Sequence, residues 1–298
     1  MLRTRVRPAA LLCRGGFLLL FAAFSSPLHS QSVPASSPSA AGLQPSATTS
    51  ALNNPRAAVD PAAVTLMQQV LSSLGGARAW QAVGAATSNV TVPLPDGTQR
   101  KIRWADDWSG SSVLSRRDAI DSTQGSNTVI TSGQSQIHSQ TNGTQKQYPR
   151  DPDLVLLAVG YPGAAILRSL QHPNCTFSSK LTLTGRWPRA QLTQNQDETV
   201  VYEQCIEPQY PDGRCDIAWI VSADTATLRG VWLPVRGMLD NSVIYEQVRF
   251  TKFHPAGDLL VPSNIAITRP NGRVDTLTVD SPTFTSHLPL SQFVPKKN

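Results

Sequence analysis

The chain has 298 residues, with 26 basic and 20 acidic side chains and a formal net charge of +6. Its basic residues occur in short scattered runs such as Arg100-Lys101, Arg116-Arg117 and Lys296-Lys297, whereas a nucleic-acid interface needs them clustered on one face. Nucleic acid is therefore excluded as a partner. The four cysteines form no C-x-x-C pair and no cluster with histidine, so no metal site is predicted.

Residues 1–32 have the three parts of a secretory signal peptide. Four arginines between positions 3 and 14 are followed by an apolar run over 16–24 and then by small residues. That run is about half of the roughly 20 residues needed to span a bilayer. We therefore predict cleavage near Ser32 or Val33, export to the periplasm or the extracellular space, and no transmembrane span after cleavage.

Residues 33–58 are mainly Ser, Ala, Pro and Thr. A segment of this composition buries too little apolar surface to offset its loss of conformational entropy, so we predict a disordered spacer. Residues 59–298 remain for a single domain, a length that mainly-β architectures reach.

The predicted domain opens with an amphipathic helix from Pro61 to Leu74. Asp60 suits the N-cap, proline suits the first turn, and Gly75-Gly76 ends the helical pattern. A shorter turn over 77–83 carries Trp80. The polar face lacks the lysines and arginines of a membrane-surface helix, so we expect the apolar face to pack on a sheet. That face comprises Val64, Met67, Val70, Leu71 and Leu74.

From residue 88 the apolar residues alternate with polar ones, the pattern of a strand. A first hairpin turns at 95–97, and a helical segment over 151–170, broken at Gly160-Tyr-Pro162-Gly163, interrupts the strands. Asn271-Gly272 predicts a tight hairpin in which Ile265 and Ile267 face Leu277 and Val279. The other strands are predicted over 112–118, 127–131, 134–139, 179–184, 199–207, 213–222, 226–233, 242–253, 258–269 and 273–281.

Strands that follow one another in antiparallel order form a long meander, which twists and curls. Two helical inserts can cover one face of such a sheet. The predicted fold class is α+β, mainly antiparallel β: a curved, incomplete β-barrel with helices covering its concave face.

No sequence motif predicts catalysis. None of the histidines stands in a triad spacing or in H-E-x-x-H, and G-x-S-x-G, the P-loop and G-x-G-x-x-G are absent. Asp106 and Asp107 are adjacent, but neighbours on a strand point to opposite faces, so a shared acidic site is not expected. We predict no catalytic, cofactor-binding or metal-binding residue, and hence a protein that is not an enzyme. The histidines are His29, His138, His172, His254 and His287.

Three cysteines remain after export to a compartment that favours disulfides. Cys205 and Cys215 flank the turn sequence 208–213, and a hairpin there would place them opposite each other. We predict a Cys205–Cys215 disulfide with Cys175 buried and reduced, although Cys175 is a competing partner. Two buried, unbonded thiols at 205 and 215 are the alternative.

The order of these parts resembles the periplasmic lipoprotein-carrier and lipoprotein-sorting superfamily. Its most specific portion is the C-terminal one: Tyr245–Pro262 looks like a strand, turn and strand of those proteins, and Leu288–Pro295 looks like their closing segment. The hairpin over 100–104 and the helical segment over 151–170 fit the same layout. The resemblance implies a curved, incomplete barrel whose concavity holds an acyl chain of a lipid or lipoprotein, although this chain carries no lipobox.

The expected function is therefore that of an exported, lipid- or lipoprotein-binding carrier-like protein of the bacterial envelope. The alternative is an envelope sensor or protein-interaction module with the same fold and no lipid ligand. Seven apolar side chains are candidates to line the implied cavity, and the alternative for them is a filled core beneath the helices. They are Trp104, Trp219, Val221, Ile265, Ile267, Leu277 and Val279.

Overall fold

The computed structural model describes residues 60–94, 96–121, 125–133, 135–140, 144–179, 196–206, 215–236, 243–269 and 271–295. Its helices are α1 (Pro61–Ser73), α2 (Gly76–Gln81), α3 (Asp153–Ala158) and α4 (Pro162–Gln171), with a 3₁₀ turn at Leu290–Phe293. Its strands are β1 (Ala85–Pro93), β2 (Gln99–Asp107), β3 (Leu114–Asp121), β4 (Gly125–Ser132), β5 (Ser135–Gln140), β6 (Gln145–Pro149), β7 (Cys175–Ser178), β8 (Glu198–Cys205), β9 (Cys215–Ser222), β10 (Leu228–Arg236), β11 (Val243–Ala256), β12 (Leu259–Thr268), β13 (Val274–Val279) and β14 (Thr283–Thr285).

All these strands belong to one antiparallel sheet, in the order β6-β5-β4-β3-β2-β1-β13-β12-β11-β10-β9-β8-β7, with β14 paired to β1 beside β13. The strands β6 and β7 follow one another in the described chain but lie at opposite edges of the sheet. The sheet therefore consists of two meanders, β1–β6 and β7–β13, joined where Val90 of β1 lies opposite Val279 of β13.

The four helices pack on one face of this sheet. Helices α1 and α4 contact β7 at one edge, α3 contacts β10, and α2 contacts β12. Tyr161, between α3 and α4, hydrogen-bonds Ser88 on the distant strand β1. This small group of helices therefore contacts strands from one edge of the sheet to its middle. A sheet can make all these contacts only if it curves around the helices. The predicted fold class, a curved and incomplete barrel with helices on its concave face, is confirmed.

Helix α1 begins and ends where the sequence predicted. The Asp60 carboxylate accepts hydrogen bonds from the backbone of Ala62 and Ala63 at 3.0 and 3.3 Å, and Pro61 occupies the first turn. After the helix, Gly75 adopts a φ of +113°, and a Cβ there would lie 2.5 Å from the Asp258 carbonyl oxygen. Only glycine satisfies both conditions, because the left-handed backbone and the close approach each disfavour a side chain.

The strand pattern is largely as predicted. Ile265 pairs with Leu277 in the last hairpin, while Ile267 lies opposite Asp275, and Val279 faces Val90 of β1. Strands β6, β7 and β14 were not predicted, because all three are short and none shows an apolar alternation. The predicted signal peptide and spacer, and nearly all of the strand predicted over 179–184, lie outside the described residues.

The predicted disulfide is wrong: the bond joins Cys175 to Cys205. Cys205 on β8 lies directly opposite Cys175 on β7 and directly opposite Cys215 on β9. The sequence showed the second neighbour but not the first, since β7 has only four residues and no recognisable pattern. Cys215 remains a buried thiol.

Candidate ligand-binding site

The seven side chains proposed to line a cavity all lie on the helix-covered face of the sheet. Each is at most 5 % exposed, and all belong to one apolar core with helix residues such as Met67, Leu157 and Ile166. They therefore form a filled core beneath the helices, which was the alternative for them. The seven are Trp104, Trp219, Val221, Ile265, Ile267, Leu277 and Val279.

A cavity of about 320 Å³ opens at the margin of this core, between α2, α4 and the ends of β2 and β14. That volume lies at the lower end of the range of small-molecule sites. The buried part of its lining is apolar, with Trp80, Ala164 and Leu167, and the half-buried Trp108 stands beside them. The exposed part comprises Ala82 and four polar residues, Gln81, Ser109, Gln171 and Ser286.

Glycines allow the segment that joins α3 and α4 to approach two tryptophans, Trp80 of α2 and Trp104 of β2. A Cβ on Gly163, in the first turn of α4, would lie 2.2 Å from Trp80 Nε1, and a Cβ on Gly160 would lie 3.0 Å from the Trp104 ring. The indole N–H of Trp80 donates to the Leu74 carbonyl at 2.9 Å, which fixes the ring. The sequence Gly160-Tyr-Pro162-Gly163 is therefore both the break between α3 and α4 and the contact that seats them on the sheet.

Aromatic rings form the wall between the cavity and the core. Tyr161 lies 5.3 Å from Trp108 and 6.0 Å from Phe284, and Phe284 meets Trp80 edge-on at 5.8 Å, measured between ring centroids. These separations are those of favourable aromatic pairs. Trp80 and Trp108 are the rings of this group that line the cavity, so an apolar group that entered it would meet their indole rings.

Two arginines fix the loop that forms the other wall. Arg168 of α4 donates to the Gly110 carbonyl at 3.1 Å and to Ser111, and it pairs with Asp153 at 3.1 Å. Arg150 donates to the Val113 carbonyl at 3.1 Å and also pairs with Asp153. The positive charge that borders the cavity is that of Arg168. Its guanidinium is already bound to backbone carbonyls and to the Asp153 carboxylate.

A buried ion pair lies beneath the aromatic wall. Arg117 Nη2 is 2.8 Å from Asp106 Oδ1, and the guanidinium stacks over Trp104 at 4.7 Å from the ring centroid. Burial raises the pKa of Asp106, and the positive charge of Arg117 opposes that change. Burial and the nearby Asp106 also raise the pKa of Tyr161, which therefore stays a neutral hydrogen-bonding partner of Ser88.

Asp106 and Asp107 do point to opposite faces, as predicted. Asp106 faces the core and Arg117, whereas Asp107 accepts hydrogen bonds on the other face from the backbone of Ser109 at 3.0 Å and Leu288 at 2.6 Å. The latter contact holds the C-terminal segment, whose Phe293 covers a small outer core.

The four histidines in the described part of the chain lie on different parts of the fold. His138 is on β5, His172 follows α4, His254 is on β11 and His287 follows β14. His138 meets the Tyr148 ring edge-on with 4.6 Å between ring centroids, and burial lowers the pKa of His138 to about 4. In the described chain, the group with metal-ligand proximity contains Glu203 and both disulfide sulfurs, and sulfurs in a disulfide are not thiolate ligands.

Sequence reasoning missed the cavity because its lining comes from short pieces far apart in the chain: the end of α2, the residues after β2, one face of α4 and the residues after β14. No single periodic segment marks such a site. The available signals were Trp80 in a short turn, which lines the cavity, and the Gly-Tyr-Pro-Gly break, which directly precedes the lining residue Ala164.

No protein-family model matches the chain, and no curated protein matches it. Solved structures do: 32 chains match its fold. One is a LolA-superfamily protein from Nitrosomonas europaea, with 11 % identity, a TM-score of 0.46, and coverage of 78 % of this chain and 97 % of that one. Another is a DUF1329-family protein from Desulfovibrio piger, with 9 % identity, a TM-score of 0.47, and coverage of 78 % of this chain and 97 % of that one. A third is a domain from Vibrio parahaemolyticus provisionally named as an outer membrane lipoprotein-sorting protein, with 10 % identity, a TM-score of 0.43, and coverage of 76 % of this chain and 97 % of that one. The first and third carry the superfamily names to which the sequence showed a resemblance.

Across the part of the chain that the structure describes, no helix is both long enough and apolar enough to cross a bilayer.

Proposed function

We propose that this chain is an exported carrier-like protein of the bacterial envelope that binds the acyl chain of a lipid or lipoprotein. The observation that carries the proposal is the cavity of about 320 Å³, whose buried lining is apolar and aromatic and which opens at the margin of the helix-covered face. We place the end of the acyl chain against Trp80, Trp108 and Leu167.

The polarity of the cavity sets the orientation of the ligand. Its polar side chains are at the exposed rim, and the guanidinium of Arg168 is already bound to carbonyls and to Asp153. A charged head group inside would lose hydration without a free partner, which is costly. The acyl tail therefore enters, and the head group stays at the rim beside Gln81 and Gln171.

A longer tail reaches the concave face by displacing helices. Helices α2 and α3 have six residues each, too few to be stable without tertiary packing. Their apolar residues cover the same face that an acyl chain would cover. Exchange of one apolar cover for another keeps the sheet's apolar surface out of water, so the free-energy cost of displacement is reduced.

The test blocks the mouth of the cavity. Ala82 lines it but is exposed, so Ala82→Trp fills the opening without overpacking the core. We expect at least tenfold weaker binding of a fluorescent fatty acid, with an unchanged urea-unfolding midpoint. Ala62→Trp, on an exposed position of α1, is the matched control and should bind as the parent chain does.

Native mass spectrometry of protein extracted from its host supplies the second measurement. We expect a lipid adduct on the parent chain. A clean protein mass together with no fatty-acid binding would contradict the proposal.

The filled core beneath the helices favours a second candidate, an envelope sensor or protein-interaction module that takes no lipid. Cross-linking in the host followed by purification separates the two. A stoichiometric protein partner without lipid supports the module, and co-purified lipid supports the carrier.

Cleavage of the predicted signal peptide can be measured independently of ligand binding. If residues 1–32 are a signal peptide, N-terminal sequencing of the mature protein should begin near Ser32 or Val33. An intact Met1 on a membrane-bound form would show that this segment is retained.

A further inference from the structure

Three cysteines form a row across three neighbouring strands on the concave face. Cys175 of β7, Cys205 of β8 and Cys215 of β9 occupy directly opposed positions, with Cys205 in the middle. The disulfide takes one neighbour of Cys205, and the other neighbour is a buried thiol. The central sulfur therefore has two cysteine partners in register and is bonded to one.

The hydrogen bonds of the sheet show how the two pairings differ. The backbone N–H of Ile206 donates to the Asn174 carbonyl at 3.1 Å, so Cys175 and Cys205 form a non-hydrogen-bonded pair, in which side chains are closest. The backbone of Cys205 then faces β9, and its pairing with Cys215 is the wider kind, with Cα atoms about 5.5 Å apart. Disulfides commonly join Cα atoms at about that separation, so the Cα spacing of the Cys205–Cys215 pair is one that a disulfide spans.

We propose that Cys215 exchanges with this disulfide, so that the protein has a second, isomeric state with a Cys205–Cys215 bond. The Cys215 thiolate attacks the Cys205 sulfur, the Cys205–Cys215 bond forms, and the Cys175–Cys205 bond breaks. Cys175 leaves as a thiolate and takes up a proton equivalent to the one that Cys215 lost. The exchange needs no external oxidant or reductant. The Glu203 carboxylate lies 3.2 Å from the Cys205 sulfur and within 4.8 Å of the Cys175 sulfur.

In the second state, no disulfide attaches β7 to β8. This strand is an edge strand of four residues, paired on one side by β8. In turn it holds the start of α1: the backbone N–H of Asp60 donates to the Phe177 carbonyl at 3.3 Å, and the Asp60 carboxylate accepts from the Ser179 N–H at 2.9 Å. Loss of the covalent tie to Cys175 leaves β7 held by its short pairing with β8 and its contacts with α1 and α4, so β7 and the first turn of α1 detach more often.

The exchange therefore regulates access to the proposed site. Helix α1 packs on α2 and α4, which border the cavity, and α4 also contacts β7. A detached β7 loosens the helical cover and speeds ligand entry. This last consequence rests on the proposed function, whereas the exchange and the release of β7 do not.

Peptide mapping of the full chain tests the exchange. Trypsin cleaves after Lys180, Arg189 and Arg214, so each of the three cysteines falls on its own peptide. Protein is held at pH 6.5 or 8.5 without added thiol, then quenched in acid, alkylated and digested. We expect the Cys205–Cys215 peptide pair to appear with alkylated Cys175, at least tenfold faster at pH 8.5, because the thiolate fraction increases with pH.

Two controls test whether the exchange requires Cys215 and whether it occurs within one molecule. Cys215→Ser should retain the Cys175–Cys205 bond alone, and the rate in the parent chain should not depend on protein concentration. Complete absence of the Cys205–Cys215 pair at pH 8.5 would overturn the proposal, as would a rate proportional to concentration, which indicates exchange between molecules.

Hydrogen exchange tests the structural consequence. Cys175→Ser holds the second bond and Cys215→Ser holds the first. We expect amides of β7 and the first turn of α1 to exchange at least tenfold faster in Cys175→Ser, with β10–β12 unchanged. Equal rates would overturn the release of β7. If Cys175→Ser does not fold, hydrogen exchange is measured on the parent chain at equilibrium. Peptides with alkylated Cys175 then report the second state, and peptides with the Cys175–Cys205 bond report the first.

Fatty-acid uptake separates the two proposals. Faster uptake by Cys175→Ser than by Cys215→Ser supports regulation of the site. Failure of both variants and the parent chain to bind would contradict the proposed function and leave the disulfide exchange as measured by mapping.

Discussion

Glu246 is a fully buried carboxyl group on the concave face. One oxygen accepts a hydrogen bond from Arg269, and the other is buried without a hydrogen-bond donor in the described chain. Burial raises its pKa to about 7, against the opposing charge of Arg269, which is shared with Asp275 at 2.9 Å. The folded protein therefore holds a proton on Glu246 at pH values where the unfolded chain has released it.

This titration makes stability depend on pH. Between the ordinary glutamate pKa of 4.5 and the raised pKa of about 7, the folded state binds more protons than the unfolded state, so the free energy of unfolding falls as the pH rises. Glu246→Gln keeps the shape and removes the charge. We expect the parent chain to lose up to roughly 3 kcal/mol more than the variant between pH 5 and pH 8.

Urea unfolding at pH 5, 6, 7 and 8 measures the difference. Asp258→Asn, an exposed carboxyl group in the β11–β12 turn, is the control and should follow the parent chain. Parallel pH profiles for the parent chain and Glu246→Gln would contradict the assignment.

Gly163 is a second residue where a small change should have a large effect. Gly163→Ala places a methyl group about where Trp80 already lies, since a Cβ at this position would be 2.2 Å from the indole nitrogen. Overpacking of this kind costs about 1–3 kcal/mol. We expect that loss in the free energy of unfolding, measured by urea titration.

The matched change is Gly110→Ala, in an exposed loop by the same cavity, where the nearest atom to a Cβ is 3.9 Å away. It should be nearly neutral. Equal stabilities of the two variants would mean that α4 can shift away from Trp80 without cost.

Single side chains were predictable where a strand's alternation fixes their direction. All seven core candidates and the opposed pair Asp106 and Asp107 point as the period of two requires. The partner of Cys205 was not predictable, because it depends on which strand pairs with β8 on its other side. The cavity residue Trp108 was not predictable either, since it follows a strand and carries no periodic signal.

At the scale of elements, α1 is joined to the sheet through its own N-cap. Hydrogen bonds from the Ser179 side chain and backbone lower the pKa of Asp60 to about 2, and those from the first turn of the helix contribute. A lowered pKa in the folded state means that this contribution is present above about pH 4 and is lost as the pH falls through 2. One carboxylate thus begins a helix and attaches it to the edge strand.

Asp60→Ala should release both contacts. We expect faster hydrogen exchange in the first turn of α1 and in β7 at pH 7, with no change in β2 or β12. Thr65→Ala, which removes a hydroxyl from the exposed side of the same helix, is the control. A variant whose exchange changes equally throughout the sheet would contradict a local attachment.

Elements with strong caps or long alternation were predicted, and short edge elements were not. Helix α1 has both end signals in its sequence, and β12–β13 have a turn sequence between two apolar runs. Strand β6 is polar and mostly exposed, and β7 has four residues. Both strands exist because a neighbouring strand offers its hydrogen bonds, which is a property of the sheet and not of their own sequences.

At the scale of the whole molecule, the sequence predicted a meander but not how its two parts meet. Each hairpin is local, so strand order within β1–β6 and within β8–β13 follows from turns. The pairing of β1 with β13 brings together the two ends of the domain. No local pattern specifies that pairing, and it decides which strands become the edges.

That pairing has a consequence for the way the chain folds. The pairing of β1 with β13 and β14 spans nearly the whole domain, so it carries the largest loop-closure entropy in the sheet. It cannot form until the last strands are available, and contacts of such high sequence separation slow folding. During synthesis the N-terminal meander therefore has an unpaired edge at β1 until β13 and β14 have been made. If the chain is exported, as we propose, a sheet that closes late gives an export machinery time to engage the chain while it is still unfolded.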